Sequence, residues 1–263
     1  MANDRALDNT TTAPAWGHIL QGTEVAPSRL GEAVVIRLTE AILEGKLKPG
    51  DPLPSEGRIA VAFGVSKPIA REALRDLAAM GVIQVAQGKI SRVRAIDSAP
   101  LARFFRFAVG STAKGIRDAV ELRRMLEPQI ALQAARRRNQ ADIEAIRTIL
   151  VSMEAALGDV PRWIEADLAF HAQMALATHN NLVGLQMQGL EPVVREMMGR
   201  FNAREPRTPE DWRQTLDRHI RVAQAIIAGD GQAAEKAMQS HFEAADDAIG
   251  EIYGTDISVA DPL

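Results

Sequence analysis

Apolar residues return every three or four positions along most of this chain, the period of an amphipathic helix, and only residues 82–93 read as strand. Leu30, Val34, Leu38, Ala41 and Ile42 form a first apolar stripe, which stops at Gly45 before the turn Lys48-Pro49-Gly50-Asp51. A second helix opens after Pro54, with Ser55 as N-cap and Glu56 against the positive helix end, and closes at Gly64. A third opens at Ser66 and tolerates Pro68, because first-turn amides have no intrahelical partner; it stops near Gly81. Its Ala70, Ala73, Leu74 and Leu77 share one face and should pack inward. Residues 82–85 and 90–93 are strand-like around the turn Gln87-Gly88-Lys89, which predicts a hairpin with a basic tip. Helix, helix-turn-helix and hairpin in that order make a winged helix.

Beyond residue 98 the helical period takes over entirely. Six helices are expected, over 115–139, 141–157, 161–178, 181–202, 209–228 and 231–252. A segment at 100–110 with Phe104, Phe105 and Phe107 reads as a short helix docked on one of two cores. The fold class is therefore mainly α: an N-terminal winged helix-turn-helix with a small β-hairpin, then a C-terminal all-α bundle. The divisions are a flexible tail at 1–27, a DNA-binding domain at 28–97, a linker or docking segment at 98–114, the bundle at 115–252 and a tail at 253–263.

Composition narrows the class. A hydrophobic share of 46% supplies a core, while no apolar run approaches the roughly 20 residues that span a bilayer. Residues 1–27 lack a charged region followed by an apolar one, so a cytoplasmic protein without a signal peptide is expected. With no cysteine, a disulfide scaffold and a thiolate zinc site are excluded. The net charge of −3 is unevenly divided: residues 28–97 hold 11 Lys+Arg against 8 Asp+Glu, and residues 98–263 hold 19 against 23. The basic excess lies where the winged helix lies.

On the third helix Lys67, Arg71 and Arg75 follow one another at i, i+4 and i+8, a ridge of cations suited to a phosphate-lined groove. A solvated face with pairs such as Arg71 to Asp76 or Glu72 to Arg75 would produce the same spacing. In the bundle, Asp167 and His171 are one helical turn apart and can point at one atom; His219 and His241 lie on two later helices divided by Gly229-Asp230-Gly231. One oxygen and three nitrogen donors suit a divalent transition metal, and spacing alone equally allows ordinary interior histidines. His179 is left over near a helix end and reads as structural, and Arg136, Arg137 and Arg138 read as a solvated cluster at a helix end.

The run IRLTEAILEGKLKPGDPLPSEGRIAVAFGVSKPIAREALRDLAAMGVI resembles the N-terminal domain of GntR-type bacterial transcription regulators. That resemblance places Arg58, Ser66, Lys67 and Arg71 at DNA-contacting positions and Gly88 at the wing tip, beside Lys89. It departs from the family at Lys67, where arginine is common, and in the wing, AQGKISRV. A lysine there exchanges a bidentate contact to guanine for a single-point one. EADLAFHAQMALATHNNL, LDRHIRVAQAIIAGD and MQSHFEAADDAI resemble the all-helical FCD effector domain of the FadR-type branch. The resemblance implies a metal on Asp167, His171, His219 and His241, zinc first among zinc, nickel, manganese and iron. It also implies that Arg123, in ELRRMLEPQIA, faces an effector carboxylate, where spacing alone equally allows a pair with Glu127 on the helix surface.

The expectation is a ligand-responsive transcription regulator, a repressor as most often in that family, bound as a homodimer to a palindromic double-stranded operator. Its pocket would take a small carboxylate such as a sugar acid, and no membrane partner is expected. Two rivals use parts of the same pattern. A metallohydrolase would employ the Asp and His cluster, but no glutamate stands beside a ligand as in HExxH, and the chain is expected not to be an enzyme. A constitutive DNA-binding protein would account for the N-terminal half alone.

Overall fold

The protein is described by a computed structural model covering residues 28–85, 90–110, 112–204 and 207–253; for 28–29, 113, 204 and 244–253 only the backbone is considered. The chain forms two compact units that divide between Ala95 and Ile96.

In the first unit α1 (Ser28–Leu43) buries Val34 and Leu38, while Leu30 at the start of the expected stripe stays largely exposed. Helix α2 (Glu56–Phe63) is capped by the Ser55 hydroxyl, which accepts from the Arg58 amide, and ends on Gly64 in the left-handed region at φ 63°. A side chain there would be strained, so glycine sets the turn. Ser66 caps α3 (Lys67–Ala79) by accepting from the Ile69 amide. Ala70, Ala73, Leu74 and Leu77 are buried against Val34, Leu38, Ile59 and the hairpin residues Ile83 and Val93. The hairpin ladder is shorter than the sequence suggests. Strands β1 (Ile83–Gln84) and β2 (Arg92–Val93) pair antiparallel with Ile83 opposite Val93, because only that pair buries apolar side chains on the core; Val85 and Ile90 are exposed. The expected tip, with Gly88 and Lys89, lies outside the described residues.

The second unit holds α4 (Ala99–Val109), α5 (Ala113–Arg137), α6 (Gln140–Ala155), α7 (Val160–Leu176), α8 (Asn181–Arg204), α9 (Pro209–Ala228) and α10 (Gly231–Tyr253). Helix α5 packs on α10, α9 and α7, and α7 on α6 and α8. The core between them is built from Ile146, Met153, Trp163, Phe170, Met174, Ile226 and Met238. Capping boxes start α6 (Asn139 with Asp142) and α9 (Thr208 with Asp211). Phe105 of α4 packs on the cluster of Ile164, Leu168, Leu190 and Val194. The arginine run is not simply solvated: Arg137 donates to the Thr178 carbonyl and Arg138 to that of Ile227, at the ends of α7 and α9.

Candidate nucleic-acid interface and metal centre

Lys67, Arg71 and Arg75 stand exposed on α3, opposite its buried alanines and leucines, and Arg58 is exposed on α2. Ser66 has its oxygen occupied as the N-cap. The pairing expected for Arg71 is corrected. Its guanidinium does not turn to Asp76 but crosses to Glu56 of α2, with Nε at 3.0 and 3.1 Å and Nη2 at 2.9 Å from the carboxylate oxygens. The helix-turn-helix angle brings the first residue of α2 beside the second turn of α3, and sequence spacing does not report that angle.

Inside the bundle, α7 contributes Asp167 and His171, α9 contributes His219 and α10 contributes His241. Candidate ligand atoms of the three histidines all lie within 4.8 Å of one another. Asp167 joins them, with Oδ1 at 3.0 Å from Nε2 of His219 and Oδ2 at 3.8 Å from Nε2 of His171. Asp167, His171 and His219 are buried. Trp163 and Phe170 wall the cluster, their rings 6.0 and 5.1 Å from that of His219.

The Nδ1 atoms of His219 and His171 are accounted for. Nδ1 of His219 lies 2.8 Å from the Thr215 carbonyl, which can only accept, so Nδ1 carries the proton. Nδ1 of His171 meets Oε2 of Glu127. Two other ring nitrogens are not. Nε2 of His219 and Nδ1 of His241 are buried without a well-formed hydrogen bond among the described residues. In a neutral His219, Nε2 would then turn a lone pair towards an ionised Asp167 3.0 Å away, two acceptors that need a cation between them. Burial, followed by the neighbouring rings of His219 and His171, pushes His241 well below its ordinary value, so it is a neutral donor. Burial acts to raise Asp167, yet the imidazoles of His219 and His171 beside it hold its carboxyl far below the usual range. An anionic oxygen and three imidazoles, two with unsatisfied buried nitrogens, are the donor set of a divalent transition metal. The residues fit the ion.

Arg123 is buried and paired with Glu127, which is fully buried. The expected surface pair exists, then, but inside the bundle. One Glu127 oxygen takes Nε of Arg123 and the other faces His171, while the Arg123 guanidinium lies 5.5 Å from the Phe242 ring centre. Burial acts to raise Glu127, yet Arg123 and His171 hold it below its ordinary value, so it is an anion held between the two. Its neighbour Arg124 lines a separate depression of about 310 Å³ between α5 and α10. His179 is remote from the cluster in its bonding: its Nε2 lies 2.9 Å from Oδ2 of Asp142, joining the turn after α7 to the start of α6.

Two residues near the centre carried no signal in the sequence. Thr215 orients His219 through its carbonyl, and its hydroxyl oxygen accepts from Arg207. Arg207 stacks on Trp212 at 4.2 Å. Burial lowers its pKa, against which Asp211 and Asp167 act.

Comparison with known proteins places both units. Residues 30–93 match "Bacterial regulatory proteins, gntR family" and residues 118–244 match "FCD domain". The HTH-type transcriptional regulator LutR of Bacillus subtilis is 30% identical over 81% of this chain and 97% of its own. Two Escherichia coli K12 proteins are each 29% identical: the Glc operon transcriptional activator, over 80% of this chain and 85% of its own, and the Galactonate operon transcriptional repressor, over 78% and 90%. A solved structure titled Streptococcus agalactiae GntR superposes with a TM-score of 0.64 at 24% identity, covering 82% of this chain and 99% of that one, a likeness of fold.

Proposed function

The chain belongs to the gntR family of bacterial regulatory proteins and carries an FCD domain, and from that premise we propose that it senses a small carboxylate through a metal-assisted pocket in the bundle. Its family and relatives are transcriptional regulators and not enzymes, which removes the metallohydrolase reading. Among the described residues no helix is long and apolar enough to cross a membrane, and the proposed site of action is cytoplasmic DNA.

One observation supports the sensing site above the others: the buried Glu127 joins a metal-ligand histidine to a buried arginine. Asp167, His171, His219 and His241 would hold the ion, with zinc first among the candidates. When bound, such an ion supplies a Lewis-acidic anchor for an anionic oxygen. The chain's own groups do the rest. Arg123 is the guanidinium available to face a carboxylate, and Glu127 holds it and His171 in fixed orientations. Trp163 and Phe170 exclude water from one side. An anion entering there competes with Glu127 for Arg123, so occupancy and the packing of α5 against α7 are coupled.

On the DNA side, Arg58, Ser66, Lys67, Arg71, Arg75 and the wing residues Gly88 and Lys89 are proposed to meet the operator. The active species is proposed to be a homodimer on a palindrome with recognition helices about 34 Å apart. The sign of regulation is proposed to be repression. Relatives of both signs are equally identical to this chain, so the operator's position relative to the promoter decides, and a reporter assay with and without the protein tests it.

The experiment for the sensor is thermal unfolding of the full chain against sugar acids and dicarboxylates, with and without chelator. A ligand at 100 times its Kd adds about 2.7 kcal/mol. A stabilisation that chelator abolishes supports the metal-assisted pocket and gives the effector class. No stabilisation by any compound, in protein shown to contain metal, leaves a constitutive DNA-binding protein.

A further inference from the structure

Glu56 is a carboxylate set among the cations of the proposed DNA face. It opens α2, yet it faces α3 and takes Nε and Nη2 of Arg71 at 2.9 to 3.1 Å. The hydrogen bond from Arg71, and after it the charges of Arg71, Arg75 and Lys67, hold its carboxyl below the ordinary value, so it is ionised at neutral pH. An exposed pair of this kind adds little to folding. On a surface that must meet phosphates, a fixed negative charge also weakens general attraction. Neither stability nor affinity accounts for it.

The geometry does. A guanidinium carries five N–H donors in one rigid plane. Glu56 occupies its side edge, Nε with one proton of Nη2. The end edge, Nη1 with the outer proton of Nη2, points away from the carboxylate, and it is a pair of parallel N–H groups of this kind that reads O6 and N7 of guanine. Two bonds to Glu56 also remove most of the rotamer freedom an exposed arginine would otherwise lose on docking.

We propose that Glu56 is a positioning residue for sequence reading: it presents the end edge of Arg71 to a base and withholds its side edge from phosphates. The proposal rests on α3 entering the major groove with Arg71 at the bases. It makes selectivity, rather than affinity, the property that Glu56 controls.

The test uses the full-length protein, a duplex selected by it from a random-sequence library, and a scrambled duplex of equal length. Dissociation constants for both duplexes are measured for wild type, Glu56→Gln, Arg71→Ala and the double variant. Glu56→Gln keeps the size of the side chain and removes its charge. It should bind the scrambled duplex about two- to fivefold more tightly, through the restored phosphate attraction. The ratio of scrambled to selected Kd should fall by about tenfold, the scale of one bidentate base contact. Arg71→Ala should collapse the same ratio, and adding Glu56→Gln to it should lower the ratio no further. A purely structural role for Glu56 would alter the melting temperature and leave the ratio alone. If Arg71→Ala leaves the ratio intact, Arg71 does not read bases, and the premise fails together with the proposal. If Arg71→Ala collapses the ratio while Glu56→Gln preserves it, Arg71 reads without the clamp and the proposal alone is overturned.

Discussion

Glu127 concentrates the chemistry of the bundle in one side chain. It is fully buried, with one oxygen on Arg123 and the other facing Nδ1 of His171. Deleting the carboxylate would leave a buried guanidinium unpaired, and Glu127→Ala should cost about 3 to 5 kcal/mol in denaturant unfolding. Glu127→Gln can still accept from His171 but loses the charge; its metal affinity should drop about 10- to 100-fold in competition with a chromogenic chelator. Unchanged affinity would detach Glu127 from the centre. His219→Ala removes the ring whose Nε2 lies nearest Asp167, and elemental analysis should find the metal substoichiometric while operator binding persists. That Asp167, His171, His219 and His241 would come together was legible in part: Asp167 and His171 sit one turn apart and two further histidines fall on later helices, and the FCD resemblance, more than the spacing, singled the four out as the proposed ligand set. Glu127 was not, for an arginine and a glutamate at i and i+4 look the same on a surface and in a core. What distinguishes them is His171, 44 residues away.

At the scale of elements, punctuation was the reliable signal. Ser55, Gly64 and Ser66 act where local backbone chemistry alone requires them, and each caps the helix the sequence assigns to it. The hairpin is less legible, since its ladder stops where Val85 and Ile90 have no core to cover. The meeting of α4 with α8 was not legible at all. A Cβ on Gly189 would lie 2.8 Å from Cβ of Leu101 and 3.3 Å from the Phe105 ring, so the glycine sets how closely these helices approach. Cβ of Leu101 is fixed by its own backbone and cannot rotate aside. Gly189→Val should therefore force α4 off α8 and cost about 1 to 3 kcal/mol, read as a lower urea midpoint. A midpoint at or above wild type would mean the helices can part without loss.

Among the described residues the two units have main hydrophobic cores with no residue in common, one built on α3 and the hairpin, the other on α5, α7, α9 and α10. Every proposed metal ligand belongs to the second. Calorimetry of the full chain should then resolve two transitions, of which chelator lowers only the one assigned to the bundle. Equal movement of both would mean the chain melts as one cooperative block. Salt should separate the units as well: operator affinity, carried by lysine and arginine contacts to phosphates, should fall as salt rises while bundle melting barely changes.

His171 and His241 stand about 70 positions apart in a chain without cysteine, on α7 and on its last described helix, α10. An ion held by both, and by His219 between them, closes a loop much as a disulfide would. Restricting the unfolded chain over that length is worth about 4 kcal/mol on the loop-entropy scale. The staple is removable. Limited proteolysis in chelator should begin in α10, and in metal it should not. With the proposed ion in place, the survival of the chain against proteases would be tied to its supply.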